Sequence, residues 1–227
     1  MDRKLELELI KKVRENPLLL ITLKEQTHEI CLAAVKKDES VLQYVREQTP
    51  EICMEAVKNN SWVLIYVKEQ TPKICLEAVK NGGWALKYVK EQTNEICLEA
   101  VKNDGHALEY VKEQTNEICL EAVKNEGWAL EYVKEQTEEV CLTAIRNEGG
   151  ALQYVEYGIL DSKYHFIIET KNRPIYVNKI DDVWLFSVGC QNNLTKEEFI
   201  RRVYKTNGGL EANPHRQEYL DFLDKIA

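Results

Sequence analysis

Six cysteines, Cys31, Cys53, Cys75, Cys97, Cys119 and Cys141, stand 22 residues apart, and six threonines from Thr27 to Thr137 keep the same step. No insertion or deletion breaks the register. A strict period in the range of roughly 20–50 residues marks a repeat array, in which each unit buries its apolar side only against its neighbours. This constrains the fold more than any other feature. Arrays of this kind usually bind through an extended surface rather than a catalytic pocket.

One copy runs from Thr93 to Gln114 and reads as two short helices. The threonine hydroxyl can cap the first helix. Pro50 and Pro72 follow Thr49 and Thr71 directly, at a position where no amide donor is needed, and first-turn acids such as Glu95 suit the helix dipole. An Asn-x-Gly step, as in Asn103-Asp104-Gly105, is expected to end the helix in a left-handed turn. A second helix is expected from about His106 to Gln114. Ile96 pairs with Ala100 and Cys97 with Val101 on one helix face, and Ala107, Leu108 and Val111 share another. Helices this short do not persist alone in water, so the copies must stack.

Residues 5–26 align as one more, degenerate copy: Leu9 matches Cys31, Val13 matches Val35 and Leu20 matches Leu42, with Asn16-Pro17 at the turn. Its charged residues suit a polar cap at the end of an array. The expected fold is therefore mainly α: an α-solenoid of seven 22-residue two-helix repeats. It comprises a degenerate capping repeat over 5–26 and six regular repeats over 27–158, giving an array domain of residues 1–158. At about 8–10 Å per layer the array would be roughly 60–70 Å long.

The phrase Glu-Ile-Cys-Leu-Glu-Ala-Val-Lys-Asn, followed by Trp or His and Ala-Leu-x-Tyr-Val-Lys-Glu-Gln-Thr, resembles a short helical repeat family of unknown function abundant in giant DNA viruses of amoebae. The resemblance covers about two thirds of the chain. It implies a helical array and brings no catalytic residues.

Net charge is −8, and residues 159–227 carry equal numbers of acids and bases, so the excess lies on the array. An acidic array argues against nucleic acid, which needs clustered Lys and Arg. No stretch approaches the roughly 18 apolar residues of a membrane span, and the charged N-terminus does not read as a signal peptide. Cysteines about one layer apart are too far for a disulfide or a shared zinc ion. They are expected to be small buried residues, free thiols in a reducing cytoplasm. No cofactor and no metal are expected.

Trp62, Trp84, His106 and Trp128 share one repeat position, flanked by Ser40 and Gly150. They read either as an anchor for a partner or as packing between repeats. Tyr44, Tyr66, Tyr88, Tyr110, Tyr132 and Tyr154 never vary, which suggests packing. Arg46, Lys68, Lys90, Lys112 and Lys134 run beside an acidic row, Glu47 to Glu135, and read as a solvated ionic surface. Positions that vary between copies are better candidates for specificity, among them Ile65, Lys87, Glu109 and Glu131.

The period vanishes after Gly158. Residues 159–227 are expected to form a small α+β C-terminal module of three strands and two helices. The strands are placed near 163–169, 174–178 and 183–188, one helix is capped by Thr195 and Glu198, and a last helix opens at Asn213-Pro214. Such a module could cover the apolar end of the last repeat. It holds Cys190, with His165 and His215 as possible partners, which leaves a cysteine-dependent hydrolase or transferase as the alternative function. The favoured expectation is a non-enzymatic scaffold that binds a protein partner through the repeat surface, not a membrane or nucleic acid, and acts as a monomer or weak homo-oligomer.

Overall fold

In a computed structural model, the protein is described over residues 2–156, 158–160, 165–168, 175–180, 183–188 and 191–198. It is mainly helical, and an α-helix and a short 3-10 helix alternate at the 22-residue step. The pairs are α1 (Arg3–Glu15) with η1 (Pro17–Thr22), α2 (His28–Lys37) with η2 (Glu39–Tyr44), α3 (Pro50–Asn59) with η3 (Ser61–Tyr66), and α4 (Pro72–Asn81) with η4 (Gly83–Tyr88). They continue as α5 (Asn94–Asn103) with η5 (Gly105–Tyr110), α6 (Asn116–Asn125) with η6 (Gly127–Tyr132), and α7 (Glu138–Asn147) with η7 (Gly149–Tyr154). The chain forms two compact units, residues 1–121 and residues 122–227.

The threonine caps form as the sequence indicates. The amides of Ile30, Ile52, Ile74, Ile96, Ile118 and Val140 each donate to the threonine hydroxyl three residues earlier, at 3.3–3.4 Å. Within each copy of the first unit the same positions are buried. In the copy starting at Thr71, Ile74, Cys75, Ala78, Val79, Ala85, Leu86 and Val89 are at most 3% exposed. The degenerate first copy folds in register, with Val13 and Leu20 fully buried.

Two local expectations change. The second helix is a 3-10 turn of six residues that ends at the tyrosine, four short of the glutamine. Its last turn closes by i→i+3 bonds such as Val89 N–H to Leu86 O at 3.0 Å. The glutamine side chain also donates to that leucine carbonyl, as Gln92 does to Leu86 O, so the carbonyl that would extend an α-helix is already occupied. The Asn-x-Gly step does not use the left-handed region either. Gly82 is extended at φ −166°, and among the described residues positive φ occurs at Asn193 and Gly158. At Gly83 and Gly127, close approach leaves no room for a side chain at the start of the 3-10 helix, whereas η2 and η3 begin with Glu39 and Ser61. A Cβ on Gly83 would run into Ala100 O, and one on Gly127 would lie 2.6 Å from Ala144 O.

In the second unit the period gives way to an antiparallel meander. Its strands are β1 (His165–Ile168), β2 (Ile175–Ile180), β3 (Val183–Val188) and β4 (Gln191–Thr195), in the order β1-β2-β3-β4. The first three match the strands expected from the sequence, and β4 adds a fourth. Val177 faces Phe186 across the β2–β3 pair, and Phe186 faces Leu194 across β3–β4. The sheet packs on the last repeat: Tyr176 and Leu185, with Val155 and Leu160, lie against Ile145 and Leu152. Asn193 Nδ2 donates to Arg146 O at 2.6 Å. The Thr195–Glu198 capping box forms in both directions, at 3.0 and 3.3 Å. The last helix expected at Asn213-Pro214 lies outside the described residues. Among the described residues no helix is long and apolar enough to cross a membrane.

Candidate functional site

The repeat unit has two edges of different character. The first is the Lys-Glu-Gln-Thr connection. Gln70 Nε2 donates to Leu64 O of its own copy at 3.2 Å and to Tyr88 O of the next at 3.0 Å. Its Oε1 accepts from the Lys90 amide at 3.0 Å and from the Cys75 thiol at 3.8 Å. This exhausts what a carboxamide can offer. Gln48 and Gln92 repeat the pattern, and Gln136 bonds Tyr154 O and Glu156 N–H in the second unit.

The basic row is tied down as well. Arg46 donates to Lys24 O and Leu23 O, Lys68 to Arg46 O, Lys90 to Lys68 O and Lys112 to Lys90 O, at 2.7–2.9 Å. Each cation reaches carbonyls at the start of the previous copy's connection. The row read from sequence as an ionic surface is therefore a set of rungs between copies. Asparagine does the same at the other end of the α-helix. Asn81 Nδ2 donates to Lys58 O at 2.7 Å, Asn103 Nδ2 to Lys80 O at 2.8 Å, and Asn103 Oδ1 accepts from the Gly83 amide at 2.7 Å.

The six array cysteines are buried, free thiols. Burial pushes Cys31 and Cys141 up to about 11 and raises Cys53, Cys75 and Cys97. At neutral pH a thiol so placed is protonated and a poor nucleophile. A cavity of about 320 Å³ at this edge is lined by Lys90, Gln92, Thr93, Cys97, Lys112 and Thr115. His28 lies 3.3 Å from the Thr49 hydroxyl and 3.2 Å from Glu51, but the same threonine oxygen caps α3.

The second edge is the face of the 3-10 helices, where the sequence-derived candidates fall. In the first unit Trp62 is 48% exposed and Ile65 55%, with Tyr44 and Tyr66 at 37% and 38%. Trp84 is half-buried; it meets Trp62 edge to face at an interplanar angle of 87°. The Trp62 and Tyr88 ring centroids are 5.7 Å apart. Lys87 is exposed and lies over the Tyr110 ring at 5.5 Å. His106 is half-buried, 3.7 Å from Asp104, and Glu109 is exposed.

In the second unit Trp128 is half-buried and its ring lies on Gly150, where a Cβ would come within 2.5 Å of it. The glycine at the sixth place in the tryptophan row thus makes room for the preceding copy's indole. Glu131 is exposed. Burial, and then Glu131, push the Tyr154 phenol up. The tryptophan row therefore combines packing between copies with exposed surface, and the exposed share is largest at Trp62.

A family model described as a domain of unknown function (DUF4116) matches five times, at residues 27–71, 50–94, 71–115, 94–137 and 115–160. The chain belongs to this family. The matches overlap at the 22-residue step, and together they span more than half of the chain, over the repeats whose geometry is given above. Among curated proteins and among solved structures, none matches the chain.

Two rows of this DUF4116 array bond copy to copy beyond what the sequence indicates: the glutamines, and the asparagines that the sequence marks only as helix stops. Their signal was present, since Gln26, Gln48, Gln70, Gln92, Gln114 and Gln136 recur without exception. The capping copy also departs from expectation. Leu5, Leu7, Leu18 and Ile21 are each about half exposed, so this end is less polar than its charge suggests. Glu6 on α1 replaces a repeat feature: it accepts from the Thr27 hydroxyl at 2.7 Å and from Arg3 at 2.8 Å. The Thr27 bond, then Arg3, hold its carboxyl below the ordinary value. Of the C-terminal candidates, His165 lies 3.3 Å from Asn178 Oδ1; Cys190 and His215 lie outside the described residues.

Proposed function

We propose that this DUF4116 chain is a non-enzymatic scaffold that binds a protein partner through the face of its 3-10 helices, in a reducing cytoplasm. The observation that carries the reading is the exposure of Trp62 and Ile65 beside Tyr44 and Tyr66 in adjacent copies. Clustered large apolar side chains on a surface mark interaction sites, and tryptophan and tyrosine supply much of the energy where partners dock. The contrast with the other edge supports this: the glutamine, lysine and asparagine groups there are engaged in holding copies together and have little left to offer a partner. Variation between copies at Ile65, Lys87 and Glu109 gives the face of the first unit a pattern a partner can read, and Glu131 continues the variation in the second unit.

The test places a photo-reactive amino acid at position 65 in the full chain and maps what it captures from cytoplasm. A discrete protein partner, lost with Trp62→Ala while the fold is intact by circular dichroism, is the expected result. Undiminished capture after Trp62→Ala and Trp84→Ala together would remove the aromatic face from the account.

A further inference from the structure

Resting on that reading, we infer that the partner segment taken by the aromatic face of η2 to η4 is proline-rich and docks in the polyproline II conformation across three successive copies. The first argument is spacing. A polyproline II helix has three residues per turn at about 3.1 Å each, a repeat of roughly 9 Å. Packed helical layers lie about 8–10 Å apart. Tyr44, Tyr66 and Tyr88 come one per layer, so every third residue of such a segment meets an equivalent ring.

The second argument is the chemistry of the wall. Among the described residues, the indole N–H groups of Trp62 and Trp84 and the hydroxyls of Tyr44, Tyr66 and Tyr88 make no hydrogen bond within the protein. They are donors beside flat apolar rings. A proline-rich segment presents apolar rings and carbonyl acceptors, and proline has no amide N–H to satisfy. An α-helix would keep its carbonyls for itself. An added β-strand would need a sheet edge, and a 3-10 helix offers none.

The third argument is rigidity. Trp62 stands against Trp84 and close to Tyr88, so docking a stiff segment on these rings costs little side-chain or backbone freedom. Charge sets the boundary: Lys87 folds over Tyr110 and closes the apolar face, and the exposed Glu109 beyond it favours a basic residue at that end of the segment.

The experiment titrates a fluorescent oligoproline flanked by arginines into the full chain and follows anisotropy. The controls are a peptide with glycine in place of proline and an amphipathic Leu/Lys helix. Saturable binding of the oligoproline is expected, weakened about tenfold or more by Trp62→Ala, Tyr66→Phe or Ile65→Asp, with unchanged circular dichroism. The glycine peptide is expected to bind much more weakly. Glu109→Gln is expected to reduce affinity by a few fold. No saturable oligoproline binding, or equal binding by the wild type and by both Trp62→Ala and Ile65→Asp, overturns the inference. If the helical peptide binds instead and is lost with Trp62→Ala, the proline inference falls while the docking face stands. If neither peptide binds and position 65 captures nothing, both fall.

Discussion

The connection edge and the 3-10 face are built from the same 22 residues and behave in opposite ways. Along the connection, from Lys24 to Cys141, glutamine, cysteine and threonine recur without change, and the lysine position is taken by Arg46 in one copy and by Glu156 where the array ends. The glutamines bind across copies, the lysines cap the preceding copy's carbonyls, and the thiols turn inward. Along the 3-10 face, the residue before the tyrosine runs Gln43, Ile65, Lys87, Glu109, Glu131 and Gln153, and those between Gln43 and Glu131 are exposed. A hydrogen-bonded rung needs the same donor and acceptor in every layer. A position facing outward carries no such demand and is free to diverge. In this array the constant hydrogen-bonding rows hold the layers, whereas on the 3-10 face the exposed position before each tyrosine diverges.

The sharpest way to break this comparison is Gln70→Ala. It strips partners from Leu64 O, Tyr88 O, the Lys90 amide and the Cys75 thiol at once. Leu64 O keeps the Val67 amide, but leaving the other groups without hydrogen bonds costs about 1–3 kcal/mol apiece when buried, and these are partly exposed, so a loss of about 2–4 kcal/mol in urea unfolding is expected. A change below about 0.5 kcal/mol would mean the rungs do not hold the layers.

Gly83→Ala comes next. Its Cβ meets the Ala100 carbonyl, which is backbone and cannot swing away, and about 1–3 kcal/mol is expected from the overlap. At Gly82 the nearest atom is the Ser61 hydroxyl at 2.7 Å, a side chain that can rotate, so Gly82→Ala is expected to cost less.

Alkaline pH probes the same edge more gently. An ordinary thiol in the unfolded chain titrates near 9, whereas burial holds Cys31 and Cys141 up to about 11. The folded chain keeps protons that the unfolded chain releases in that window. The stability from these thiols is therefore intact below about pH 9 and is lost as pH rises to about 11. A melting temperature flat from pH 9 to 11 after correction with a Cys31→Ala, Cys141→Ala variant would contradict their burial. The smallest effect belongs to the other edge. Ile65→Ser is expected to change stability by no more than about 0.5 kcal/mol while abolishing partner capture, and a large loss of stability would make Ile65 a packing residue instead.

Much of the array was legible beforehand. The threonine caps, the buried Ile-Cys-Ala-Val set and the degenerate first copy all rest on contacts a few residues apart, which a periodic sequence displays directly. The misreadings at Asn103, at the end of η5 and in the lysine row share one cause. Neighbours in sequence suggest a left-handed cap, a helix continuation and an ion pair. Each finds a partner about 20 residues away in the adjacent copy: Asn103 at Lys80 O, the end of η5 at Gln92, which bonds Tyr110 O and the Lys112 amide, and Lys112 at Lys90 O. Among the site candidates, the sequence showed where tryptophan recurs, but it did not distinguish the exposed Trp62 from the half-buried Trp84 and Trp128. That difference depends on what the following copy places beside each indole: another tryptophan after Trp62, a glycine after Trp128. In the C-terminal region β4 escaped notice because Gln191-Asn192-Asn193-Leu194-Thr195 lacks the apolar alternation of a strand and is held by pairing with β3.

The sequence alone determined the period, the helical character of each copy and the inward face of the α-helices, because the repeat step, the caps and the apolar spacing are displayed within one unit. Only the tertiary structure decided which polar side chains are consumed between layers and which aromatic rings remain on the surface. Those outcomes depend on the distance and orientation of the next copy, which no single repeat encodes.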